Sequence, residues 1–266
     1  MLLGVMTMYR TYSNVLTGRA AVAAVAFAVM LVLAVARPAA AKDPIAVVEL
    51  FTSQGCSSCP PADAFLGDLA KRGDVIALTL PVDYWDYLGW KDTLASPAYS
   101  KRQRAYARRR GDAQVYTPQM VVNGRQHAIG SHRSAVNRTI ETEAKYAEKS
   151  WVKVKLSSDA NAIMVSAGGY RGAGKAPDAT LWLLLSSKKT DVEIRRGENH
   201  GRNVTYHNVV RQMVPIGKWN GGAVTVELPK SDLMEGYDGC TAILQVNGAG
   251  PILGAAHLDG AMITTN

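Results

Sequence analysis

No Gly-x-Ser-x-Gly occurs anywhere in the 266 residues, and there are only three cysteines and five histidines. The missing elbow removes the usual way of presenting a nucleophilic serine, and with it a Ser/His/Asp hydrolase. The thiols are Cys56, Cys59 and Cys240. Two of them supply half of a tetrahedral zinc shell, and the remaining ligands would have to come from His127, His132 or Cys240, none of which stands at ligand-like spacing from the pair. No metal site is expected. There is no internal repeat, and no nucleic-acid motif accompanies the formal charge of +8.

Acidic residues are absent from the first 41 positions, whose only charges are Arg10, Arg19 and Arg37. The 17 residues from Ala20 to Ala36 are apolar and alanine-rich, and an Ala-x-Ala step closes the segment at Ala41. These are the parts of a secretory signal, expected to be removed at that point. The competing reading is a retained anchor, and 17 residues is the short end of the roughly 17–25 that span a bilayer. Cleavage leaves 27 basic against 22 acidic residues, a net +5. The mature chain is then expected to be periplasmic or secreted, with no stable membrane span.

Hydrophobic periodicity divides what remains. Between residues 42 and 148, buried-strand runs ("IAVVELF", "VIALTLPV", "QMVVNG") alternate with helical stretches. Ser96 and Pro97 mark a helix start, Gly111 its end, and Gly73 the end of the helix before it. Asn123-Gly124 reads as a hairpin turn. This is an α/β order around a central mixed sheet flanked by helices. Between residues 149 and 266 the helical periods stop, and seven short strand-like runs are separated by Gly, Pro, Asn and Asp clusters. They predict an all-β, sandwich-like second domain.

The stretch "VELFTSQGCSSCPPADAFL" sets Cys56 and Cys59 between a strand and a helix. Unpaired backbone N–H groups at a helix start favour the thiolate at Cys56. Cys59, one turn on, is placed to resolve a mixed disulfide. As a structural staple the pair would be poor, because a bridge across two serines closes almost no loop.

With Thr117-Pro118 leading into a strand, residues 45–146 resemble the thioredoxin-like superfamily. The wider set "ELFTSQGCSSCPPAD", "VDYWDYLGWKD", "TPQMVVNG" and "RGENHGRNVTYHNVVR" resembles DUF1223, a family of exported bacterial proteins, over nearly the whole mature chain. The resemblance implies that Cys56 is the nucleophile, that Pro118 is a cis-proline, and that Thr117 pairs with a bound peptide. Ser57 and Ser58 stand where relatives carry the dipeptide that tunes the redox potential, and with Trp85 they complete the residues expected to meet substrate. Glu49 lies near the place of a proton-relaying acid, one residue further from the first cysteine than is usual. No organic cofactor is implied, since a Cys56–Cys59 disulfide would itself be the redox group. The substrate would be a protein or small thiol or disulfide, and a separate redox partner is required.

Four features remain open between chemistry and packing. Tyr84, Trp85, Tyr87 and Trp90 form either a rim over the thiols or a loop pinned to the sheet. The run "KRQRAYARRR" reads as a solvated helix face, and Cys240 as a buried apolar residue in phase with Ala242 and Leu244. The polar stretch with Glu198, Asn199, His200 and His207 is either a binding loop or a long hairpin connection. Two functions stand on this reading: an exported thiol–disulfide oxidoreductase, or a non-enzymatic binding module with an inert Cys56–Cys59 bridge.

Overall fold

The computed structural model describes residues 44–259. The signal segment, its cleavage point after Ala41 and the alternative of an anchor all lie outside the described residues. Among the described residues no helix is long and apolar enough to cross a membrane.

The first half forms β1 (Ala46–Thr52), α1 (Pro60–Ala70), β2 (Val75–Pro81), α2 (Pro97–Arg110), β3 (Gln119–Val122), β4 (Gln126–Ile129) and α3 (Arg133–Ala147). β1 pairs parallel with β2 and antiparallel with β3. β1 is buried along its whole length, which explains its continuous apolar run, and its two faces pack differently. Ala46, Val48 and Leu50 meet α1 and α3 through Phe65, Leu66, Leu69, Val136 and Ile140. Val47 and Phe51 meet Tyr99 and Tyr106 of α2.

The local signals act as their chemistry demands. Ser96 accepts the Ala98 amide at 3.3 Å as the α2 cap, and Gly111 takes φ 77° after the last turn. Asn123 and Gly124 have φ of 48° and 66°, the pair of positive values a two-residue hairpin turn needs. Gly73 does not end α1. The helix stops at Ala70, and its cap Lys71 keeps a right-handed conformation with its amide on Asp68 and Leu69.

All seven later runs are strands: β5 (Val154–Ser158), β6 (Ala162–Ala167), β7 (Ala179–Glu193), β8 (Asn203–Trp219), β9 (Val224–Pro229), β10 (Gly239–Val246) and β11 (Ile252–Asp259), with a short helix α4 (Lys230–Met234). They do not all stay apart from the first half. β8 lies parallel beside β2, with Thr79 opposite Val209. One mixed sheet of eight strands therefore runs β11-β10-β7-β8-β2-β1-β3-β4, while β5-β6-β9 make a second, antiparallel sheet. Val154, Ile163 and Val165 of the small sheet pack on Leu181, Leu183, Leu185 and Leu244 of the large one. The sequence period changes near residue 148, between α3 and β5, yet the hydrogen-bonded sheet continues across that point. Cys240 is fully buried in this inter-sheet core, and burial pushes its thiol up to about 12.

Candidate functional site

β1 ends at Thr52, and the chain turns at Gln54–Gly55 and again at Ser57–Ser58 before α1 begins at Pro60. Cys59, not Cys56, is therefore the helix cap, and Cys56 lies three residues ahead of it. Cys56 donates its amide to the Ser53 carbonyl at 3.1 Å, and Cys59 donates to Cys56 at 3.1 Å. The two sulfurs form a disulfide. Cys56 is 4% exposed and Cys59 not at all, so an external thiolate has access to one end of the bond only. Ser57 and Ser58 between them are exposed, and the Ser58 hydroxyl lies 3.4 Å from the Cys56 sulfur.

The turn is held from three sides. Gln54 donates its amide to Asp92 Oδ2 at 2.8 Å, and its side-chain oxygen accepts the Trp90 indole N–H at 2.7 Å. Its carbonyl accepts Asn199 Nδ2 at 2.9 Å, and the same Nδ2 reaches the Cys56 carbonyl at 2.8 Å. Asn199 comes from the loop joining β7 to β8. The polar stretch of the second half is thus a hairpin connection that docks on the thiol-bearing turn. Ile194, Val204 and Tyr206 anchor it against Leu94 and Trp90.

Trp85 lies over Gly55: a Cβ added there would sit 3.1 Å from Trp85 Cβ and 3.2 Å from its carbonyl oxygen. The Trp85 indole donates to Thr117 Oγ1 at 2.8 Å. Both Trp85 and Trp90 therefore spend their N–H groups on internal partners, while Tyr87, 76% exposed, stacks on Trp85 at 6.3 Å. The Thr117–Pro118 peptide is cis. Pro118 accepts the Gly130 amide at 2.9 Å, and Gly130 in turn abuts Ala62 in the first turn of α1. Cys56, Cys59, Ser57, Ser58, Trp85, Thr117 and Pro118 are thus brought to one end of the sheet.

Glu49 is not part of this group. It alternates with Val47 and Phe51, so it faces α2, on the side of β1 turned away from α1. There it is fully buried, and Arg102 holds it at 2.6 Å through Nε and 3.1 Å through Nη2. Tyr106 donates a short hydrogen bond to the same carboxylate. A carboxylate neutralised in this way on the far face cannot serve the thiols. The pairing also corrects the reading of the basic run: Arg102 points inward, whereas Lys101, Arg104, Arg108 and Arg109 are exposed.

The acid on the thiol side is Asp63, which the spacing argument passed over. It is 2% exposed and accepts the Thr52 hydroxyl at 2.7 Å on Oδ1. Oδ2 has no hydrogen-bond partner among the described residues. Burial first, and the nearby Asp92 carboxyl in addition, raise its pKa to about 8 against the opposing Thr52 bond. Asp92 is raised for the same main reason, burial. A sequence signal existed: Asp63 stands among Ala62, Phe65 and Leu66 on an otherwise apolar helix face. Asn199 had none, because only the folded hairpin brings it across 143 positions. Among the described residues no three His, Cys, Asp or Glu side chains converge as a metal site would require.

Comparisons with known proteins agree with this architecture. A crystal structure of a protein from Agrobacterium tumefaciens is 31% identical, with a TM-score of 0.74 over 85% of this chain and 98% of that one. HBP35 of Porphyromonas gingivalis is similar in fold alone, at 13% identity and a TM-score of 0.51 over 84% of this chain and 78% of that one. No curated protein matches. Residues 47–247 match the family described as "Protein of unknown function (DUF1223)", and the chain belongs to that family.

Proposed function

We propose that the protein is an exported thiol–disulfide oxidoreductase acting in the periplasm or outside the cell. The observation that carries this reading is the asymmetry of the Cys56–Cys59 disulfide at the start of α1: Cys56 is 4% exposed and Cys59 is fully buried. A substrate thiolate attacks Cys56 Sγ, the Cys56–Cys59 bond breaks, and its electron pair stays on Cys59. A second substrate thiolate then attacks the substrate sulfur of the mixed disulfide, which releases Cys56 and completes a two-electron oxidation of the substrate. The reverse sequence reduces a substrate disulfide. A redox partner of the same thiol–disulfide chemistry resets the pair, and no organic cofactor is required.

A thioredoxin-like first half is supported by the order β1-α1-β2-α2-β3-β4-α3, by β1 lying between a parallel and an antiparallel neighbour, and by the thiols at the α1 start. Thr117, bonded to the Trp85 that covers Gly55, and Pro118 form the segment on which an extended substrate backbone would lie. Cys56 lies on the N-terminal side of α1, before the cap Cys59, where the positive end of the helix dipole favours its thiolate once the bond is open.

One observation favours a second reading, a binding module with an inert bridge: the thiol-bearing turn is clamped by Asp92, Trp90 and Asn199. Equilibration of the mature protein against glutathione redox buffers, with intact mass as the readout, separates the two. An enzyme of this class has a midpoint between roughly −120 and −270 mV, whereas an inert structural bridge lies below about −300 mV and stays closed.

A further inference from the structure

Asp63 has no structural duty that matches its cost. An ionisable carboxyl in an apolar setting is disfavoured unless paired, yet here no cation meets it among the described residues and one oxygen is left without a partner. Its position is specific. The Asp63 amide donates to the Cys59 carbonyl at 3.1 Å, and Cys59 already has helical φ and ψ of −78° and −37°. The two residues therefore stand four apart on one helix side, with Cβ atoms roughly 5–6 Å from each other. Cys59 is the buried end of the disulfide, where a newly formed thiolate would be shut away from water.

We propose that Asp63 is the proton donor and acceptor for Cys59, a role that rests on the exchange chemistry above. When a substrate thiolate attacks Cys56 Sγ, the electron pair of the breaking bond moves to Cys59 Sγ. The Asp63 carboxyl gives that sulfur its proton, directly or through one bridging water, and becomes a carboxylate. In the reverse direction the carboxylate takes the proton back, Cys59 attacks Cys56 Sγ, and the substrate leaves as a thiolate. The groups facing Asp63 are Thr52 from β1, Asp92 from the β2–α2 connection and Tyr206 from β8. His207 packs one turn further along α1, against Gly67. Asp92 raises the cost of ionising Asp63, and burial together with the Asp63 carboxylate in turn holds the Tyr206 phenol up. The carboxyl raised to about 8 is thus protonated while the disulfide is closed, as a donor must be.

The test is the rate at which dithiothreitol opens the disulfide, expressed per reagent thiolate, from pH 6 to 10. In the wild type that rate falls as pH passes about 8, because the acid form of Asp63 is lost. In Asp63→Asn the fall disappears and the rate at pH 7 drops about a hundredfold, the low end of what general acids supply. Thr52→Val keeps the acid but removes the bond that lowers its pKa, so the fall moves to higher pH. Carboxyl NMR supplies a readout that needs no variant: Asp63 should titrate differently in the disulfide and dithiol forms. Identical wild-type and Asp63→Asn profiles, or one Asp63 titration in both redox forms, overturn the proton role and leave the exchange reading standing. A wild-type bridge that dithiothreitol cannot open sinks both, and is seen before any variant is made.

Discussion

Asn199 Nδ2 donates to the Cys56 carbonyl at 2.8 Å from a position 143 residues away, and to the Gln54 carbonyl at 2.9 Å. One buried amide in the second half of the chain thus holds the turn that presents the thiol in the first. The β7–β8 hairpin is part of the site, and the two halves of the sequence are not independent at this point.

Asn199→Ala follows from that relationship. It leaves the buried Gln54 carbonyl without a donor, worth about 1–3 kcal/mol when unsatisfied, and takes one of two donors from the Cys56 carbonyl, which keeps the Cys59 amide. We expect a loss of about 1–3 kcal/mol in denaturant midpoint experiments, together with faster opening of the Cys56–Cys59 bridge as the turn loosens. A variant as stable as the wild type would show that the clamp carries no weight.

Glu49→Gln tests the opposite assignment. Arg102 would remain buried with its main counter-charge removed, a situation that costs roughly 3–5 kcal/mol. Its effect belongs to stability alone. The pH profile of disulfide opening in the folded fraction should match the wild type, because Glu49 faces α2.

The pH dependence of stability follows from Asp63. Its folded pKa, about 8, is above the value of about 3.9 in an unfolded chain. Between these values the folded protein holds a proton that the unfolded chain has released. Its contribution is therefore fully present below about pH 4 and is lost as pH rises toward 8, by at most about 1.4 kcal/mol per pH unit. Thermal melts of Asp63→Asn should lack this slope and exceed the wild type near pH 8.

Much of this architecture was legible because local chemistry decided it. Ser96, Gly111 and the Asn123-Gly124 turn each act within a few residues, and continuous apolar runs marked the buried strands. What was not legible depends on partners distant in sequence. The join at Thr79 and Val209, which continues one sheet through both halves, leaves no periodic trace. The family resemblance placed a proton-relaying acid near Glu49, but strand alternation decides the face. Thr52, in phase with Val48 and Leu50, faces α1 and meets Asp63, while Glu49 is turned to Arg102. The thiols stood out because Cys-x-x-Cys at a strand–helix junction is compact in sequence. Asp63 needed the added recognition that its helix face is otherwise apolar.

Cys59→Ser separates the roles of the two sulfurs. With glutathione disulfide, the free Cys56 thiolate should attack one sulfur, release glutathione and keep the other half as a stable adduct, visible as a mass increase. Cys56→Ser leaves only the buried Cys59 thiol, so its adduct should form at least about tenfold more slowly. Equal rates would contradict the assignment of Cys56 as the attacking residue.

The most direct test of the central claim is the rate of iodoacetamide alkylation at Cys56 in the reduced mature protein, followed by peptide mass as pH is varied. A redox nucleophile at a helix start should titrate well below the free-thiol value of about 8.5 and react ahead of Cys59 and Cys240. A Cys56 that stays unreactive, or that titrates at or above the free-thiol value, would contradict the oxidoreductase and leave the binding module as the account of this fold.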